Sequence, residues 1–182
     1  LGNDDLRIVV ELATEMEAEY TEGDEMWEGS PFRWIKSRPS RQVGKIGEEL
    51  VAGWCSGRGF KVRKSGNSDA DRIVEGHRVE IKFSTLWTDN KIYKFQQIRD
   101  QEYDFCFCLG VSPFDVHAWF IPKSELRESR APSLVPQHGG AEGLDTKWLS
   151  FQADSPPAWL SPFGGTLNQV ASLIAAAGIG TH

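Results

Sequence analysis

Residues 71–84, DRIVEGHRVEIKFS, constrain this chain more than any other stretch. Two runs rich in β-branched residues flank Glu75-Gly76, and a two-residue connector pairs such runs as an antiparallel hairpin. Strand side chains alternate between faces. Val79, Ile81 and Phe83 therefore point one way, while Arg78, Glu80, Lys82 and Ser84 point the other. The apolar triplet belongs against a core. The opposite face carries an acid and a base side by side, and the hairpin brings Asp71, at the far end of the first run, close to Glu80. Two carboxylates and one ammonium converge. Carboxylate oxygens suit Mg²⁺, which takes one or two protein acids together with water and substrate phosphate. There the metal would polarise a phosphoryl oxygen, while Lys82 could orient a water or stabilise developing charge. An ordinary ion pair on a solvated strand would account for Glu80 and Lys82 without any chemistry.

The elements around the hairpin follow from periodicity. Apolar residues at 6, 9, 10, 13, 16 and 20 predict a first helix. After a polar connection punctuated by Gly and Pro, Ile46, Leu50 and Trp54 predict a second over residues 43–57, ended by glycines. FKVRKS reads as a strand ahead of the hairpin. Ile92, Phe95 and Ile98 predict a third helix over residues 91–101, with Gln96 and Gln97 opening toward the sheet end. YDFCFCLGVS and DVHAWFIPK predict a second strand pair. Residues 124–165 are rich in Pro, Gly and Ser and show no period. Thr166 and Gln169 then have capping-box spacing before an apolar helix over residues 166–178. This order predicts one α/β domain over residues 1–182, a central mixed sheet flanked by helices. Its core would lie at residues 43–123, with target recognition as a role for residues 124–165.

Composition narrows the partners. A chain of 182 residues, 40% hydrophobic, can bury one core. Cys55, Cys106 and Cys108 are odd in number and form no CxxC pair, which predicts reduced thiols in a cytoplasmic protein. Alternation puts Cys106 and Cys108 on one strand face as core filling. No apolar run is long enough for a bilayer and no signal-peptide pattern opens the chain, although Leu1 is not an initiator Met. The net charge of −6 argues against indiscriminate nucleic-acid binding, yet it is unevenly spread. Residues 1–32 hold ten acids and one base, whereas residues 33–64 hold nine bases and two acids. The basic block either tracks a polyanion or balances the acidic N-terminal part. As contacts to a nucleic-acid backbone it offers Arg41, Lys45, Lys61, Arg63 and Lys64, to which Ser84 is added from the hairpin.

Residues 43–84 resemble the PD-(D/E)xK nuclease superfamily, the restriction-endonuclease-like fold. Its signature is an acid at a strand start, then Asp or Glu, any residue and Lys on the next strand, often with a Glu on the preceding helix. Asp71 matches the first acid, Glu80-Ile81-Lys82 the second element, and Glu48 in GKIGEEL the helix acid. Ala70 stands where the motif name has proline; Asp69 is an alternative first acid, and Glu49 an alternative to Glu48. The resemblance implies a Mg²⁺-dependent endonuclease, with Mn²⁺ able to substitute, acting on double-stranded DNA and leaving a 5′-phosphate and a 3′-hydroxyl. It implies Asp71, Glu80, Lys82 and Glu48 as the catalytic set and Asp71, Glu80 and Ile81 as the metal-binding set. A restriction-type or related DNA-processing role would follow, with a homodimer as one way to cut both strands. The competing reading is a module of the same fold that binds nucleic acid or assembles proteins without cutting. His77 reads as an exposed turn residue and His117 as a partly buried one, and no paired His spacing or phosphate loop is present. Trp148 and Trp159 either stack on bases or fill space beneath loops.

Overall fold

Glu75 and Gly76 adopt φ of 47° and 86°, the left-handed pair that a two-residue hairpin turn needs. In the computed structural model, which describes residues 2–136 and 146–178, three helices precede this turn: α1 (Gly2–Thr21), α2 (Arg33–Lys36) and α3 (Ser40–Gly57). The strands are β1 (Val62–Lys64), β2 (Arg72–Val74), β3 (His77–Thr85), β4 (Ile92–Arg99), β5 (Phe105–Val111), β6 (Val116–Pro122), β7 (Leu134–Pro136), β8 (Thr146–Gln152) and β9 (Gly164–Gly165). Helix α4 (Leu167–Gly178) closes the fold. Its first turn carries the anticipated capping box: Gln169 N donates to Thr166 Oγ1 at 3.2 Å and Thr166 N to Gln169 Oε1 at 3.0 Å.

Six strands form a mixed sheet in the order β1-β2-β3-β5-β6-β9. Only β3 and β5 run parallel, with Glu80 beside Cys106 and Lys82 beside Cys108. One face packs on α3 and α4 through Val51, Cys55, Val79, Ile81, Phe107 and Ile174. The other face is covered by a second, three-stranded sheet, β4-β8-β7, through Cys106, Cys108, Trp119, Tyr93, Phe95 and Phe151. The central mixed sheet flanked by helices is as expected; α3 and α4 pack on one of its faces and the second sheet on the other. Two glycines permit this close layering. A Cβ on Gly47 would lie 2.2 Å from the Cβ of Phe83, and one on Gly110 would lie 2.8 Å from the Tyr93 ring.

Three expectations are corrected. Residues 91–101 form strand β4 rather than a helix. Tyr93 and Phe95 alternate inward, and then a bulge between Phe95 and Ile98 inserts one residue, with Gln97 at φ 55°. The bulge stretches the inward spacing from two residues to three, which mimics a helical period. Within residues 124–165, β7 and β8 complete the second sheet, although part of that region, residues 137–145, lies outside the described residues. Cys106 and Cys108 do share a buried face, their sulfurs 3.8 Å apart, and all three cysteines are free thiols. His77 is half-buried rather than exposed, its Nε2 3.1 Å from the Ala177 carbonyl oxygen of α4. No helix among the described residues is long and apolar enough to cross a membrane.

Candidate active site

The hairpin register pairs Arg72 with Val79 and Val74 with His77, so Asp71 sits one residue beyond β2, opposite Glu80. Asp71 N donates to Val79 O at 3.1 Å, and its carboxylate Oδ2 accepts from Ile81 N at 2.7 Å. Asp69 is committed elsewhere, accepting from the Asn67 side-chain amide at 2.8 Å within the preceding loop. Geometry therefore separates the two candidates for the first acid: Asp71 abuts β3.

Lys82 Nζ lies 2.7 Å from Glu80 Oε1, and neither group is a surface feature. Glu80 is 6% exposed, and the Lys82 side chain is 16% exposed. Removing an ion from water costs several kcal/mol even after relaxation, far more than an exposed pair returns. A solvated strand is excluded, because the second sheet covers the face that carries the pair. Burial pushes the Glu80 carboxyl above its ordinary value. Lys82 pulls it back down, Asp71 pushes it up again, and Arg99 on β4 lowers it slightly. The register that sets Asp71 opposite Glu80 accounts for that upward push.

Glu48 does not stand free beside them. It pairs with Arg72, whose other nitrogen lies 3.5 Å from Glu49, so the two helix acids straddle one buried guanidinium. Arg72 also donates to Asp71 O at 2.9 Å, linking α3 to the strand start that positions Asp71. Sequence reading passed over Arg72 and Arg99. Alternation could have flagged the former, since Arg72 occupies a position facing α3 beside Val79. Arg99 had no such signal, because its segment read as helix.

The remaining candidates divide. Ser84 is buried, and its hydroxyl accepts from Lys94 N at 2.9 Å and donates to Thr85 O, fastening β4 to β3. Arg63 and Lys64 are exposed on β1, and Lys64 pairs with Arg72 at the Asp71 end. Lys61 lies at the opposite end, its N donating to the Glu75 carboxylate at 2.6 Å. Arg41 and Lys45 are exposed on the first turns of α3. His117 is tied to the Tyr93 hydroxyl at 2.8 Å. Trp159 donates to Ser133 Oγ at 2.9 Å, and Trp148 packs under Lys94 with its ammonium 3.6 Å from the ring centre.

No family model matches the chain, and neither does any curated protein. Among solved structures, it is similar to a bacterial homing endonuclease, I-Ssp6803I, with a TM-score of 0.50 and 13% identity, over 79% of this chain and all of that one. The likeness is one of fold.

Proposed function

We propose that this chain is a divalent-metal-dependent DNA endonuclease of the PD-(D/E)xK kind, with Asp71, Glu80 and Lys82 as its reacting centre. The observation that carries the reading is the buried Glu80 carboxylate paired with the half-buried Lys82 ammonium, with Asp71 beside it. Burial and the neighbouring Asp71 carboxylate hold the Glu80 carboxyl above its ordinary value although Lys82 pairs with it, and perturbed buried groups of this type cluster at reactive sites. The fold likeness to a homing endonuclease supports the same reading.

The donor set fits Mg²⁺. Asp71 commits Oδ2 to Ile81 N and Glu80 commits Oε1 to Lys82, which leaves each carboxylate a second oxygen. Ile81 can offer only its main-chain oxygen. No third His, Cys, Asp or Glu joins the cluster among the described residues, so water and substrate phosphate would complete the shell, as this cation prefers. A divalent ion there would polarise the scissile phosphate and lower the pKa of a bound water. Glu80 holds the Lys82 ammonium in place, where it donates to the attacking water or to a phosphate oxygen. Arg72, clamped by Glu48 and Glu49, fixes the backbone at Asp71. In-line attack of water on phosphorus breaks the bond to the 3′-oxygen, which takes up a proton, and leaves a 5′-phosphate and a 3′-hydroxyl. Arg63 and Lys64 would run along the substrate backbone from the Asp71 end of β1.

The test is supercoiled plasmid incubated with Mg²⁺, Mn²⁺ or EDTA, using wild type, Asp71→Asn and Glu80→Gln. Cleavage should require metal and disappear in both variants, while their folding stays intact. Glu80→Gln cutting at the wild-type rate would overturn the assignment. Binding without cutting by the wild type would favour the non-cleaving module.

A further inference from the structure

Helix α1 is the least explained part of the molecule. Every residue from 5 to 22 is exposed, and its apolar residues Leu6, Val9, Val10, Met16 and Tyr20 are each between 49% and 74% exposed. Together with Ala13 they form one stripe with heptad-like spacing, which isolated helices do not maintain without a partner surface. The helix is also acidic, with six carboxylates and a single base, Arg7, which is already paired with Glu11 at 3.1 Å.

A complementary surface lies on the same chain. Trp34 of α2 and Ile46 and Leu50 of α3 line an open groove of about 470 Å³, with Lys45 on its rim. Trp34 is 53% and Leu50 37% exposed. The helical spacing of Ile46 and Leu50 continues into Gly53 and Gly57, where an added Cβ would meet nothing, so a second helix can approach closely. Arg38 and Lys45 beside the groove are exposed, and the acid that lines it, Glu49, is held by Arg72. DNA gains nothing from covering Trp34 and Leu50, whereas an amphipathic acidic helix does.

In the structure α1 does not lie in its own groove: its residues 5–22 are all exposed, and Trp34 and Leu50 stay open. Gly23, at φ 85°, follows it, with an added Cβ position 2.7 Å from Thr88, and Trp27 just beyond is fully buried. Pairing of two α1 helices would set six carboxylates against six. We propose that α1 docks in the Trp34–Leu50 groove of a second copy, and that the second copy returns its own α1, forming a symmetric helix-exchanged dimer. A 20-residue helix is about 30 Å long and 10 Å wide. Two such reciprocal contacts bury about 1,200 Å² in total, the lower end of the size of a specific interface.

Sedimentation velocity on the full chain at tens of micromolar tests the exchange, independently of any cleavage assay. The wild type should run as a dimer. Met16→Asp and Leu50→Asp each alter an exposed side chain and should each give a folded monomer, checked by circular dichroism. An equimolar mixture of the two should recover dimer in part, because one wild-type helix then meets one wild-type groove. A monomeric wild type would overturn the proposal. So would a dimer that survives Leu50→Asp, which would indicate contact between α1 helices, and so would a mixture that recovers nothing.

Discussion

Glu80 must be ionised to accept from Lys82 and to bind a cation, yet burial opposes that charge and Asp71 adds to the opposition. Because its folded pKa is raised, the folded state holds the proton more tightly than the unfolded chain. Protonation of Glu80 therefore stabilises the metal-free fold as pH falls, and that contribution is lost as pH rises through the raised value. An NMR titration of the Glu80 carboxyl without metal should give a midpoint above the usual value of about 4.3. Lys82→Ala should raise it further by removing the largest opposing influence. A midpoint at or below the usual value in wild type would contradict the buried pair. In single-turnover assays, Lys82→Ala should slow cleavage by about 10²- to 10³-fold, the range for a lost charge-stabilising donor. DNA binding in Ca²⁺ should persist. Lys82→Arg should rescue poorly, because a planar guanidinium cannot replace a compact ammonium. Normal cleavage by Lys82→Ala would remove Lys82 from the mechanism.

At the level of elements, the site depends on how closely α3 and β1 approach the hairpin. Gly47 lets α3 rest on Phe83 of β3, and Glu48, the next residue, then reaches Arg72. Gly47→Ala would push a methyl into that contact. Overpacking of this kind costs about 1–3 kcal/mol, measurable as a lower urea midpoint with an unchanged slope. A wild-type midpoint would show that the contact relaxes freely. Strand β1 offers a graded test of backbone tracking, since Lys64 lies at the Asp71 end and Lys61 at the turn. Arg63→Glu and Lys64→Glu should each weaken binding to all DNA sequences alike and reduce the salt slope by about 1. Lys61→Glu should do less. Equal losses from all three would argue for diffuse attraction without a defined track.

For the whole molecule, two layers decide the character of the site. Helices α3 and α4 cover one face of the mixed sheet and the β4-β8-β7 sheet covers the other, so an acid–lysine pair that would be solvated on an open strand is buried. If two such domains exchange α1 helices, two reacting centres act on one duplex. Wild-type protein should then convert supercoiled plasmid to linear product with little nicked intermediate, while Met16→Asp should accumulate nicked circles. Nicked circles accumulating with wild type would uncouple the dimer from double-strand cleavage.

The hairpin, the approach of Asp71 to Glu80 and the capped α4 were legible in the sequence. Each rests on interactions among residues close in the chain: a two-residue turn, period-two alternation, a box four residues long. The tertiary structure decided what local pattern could not. A bulge gave β4 the inward spacing of a helix, and only its pairing with the distant β8 resolved the ambiguity. The same second sheet turned Glu80 and Lys82 from a solvated pair into one with a buried carboxylate and a half-buried ammonium. Arg72 was drawn between Glu48 and Glu49 because α3 packs across β2 and β3, a contact between segments more than twenty residues apart. Burial is a property of which surfaces meet, and no stretch of this chain encodes it alone.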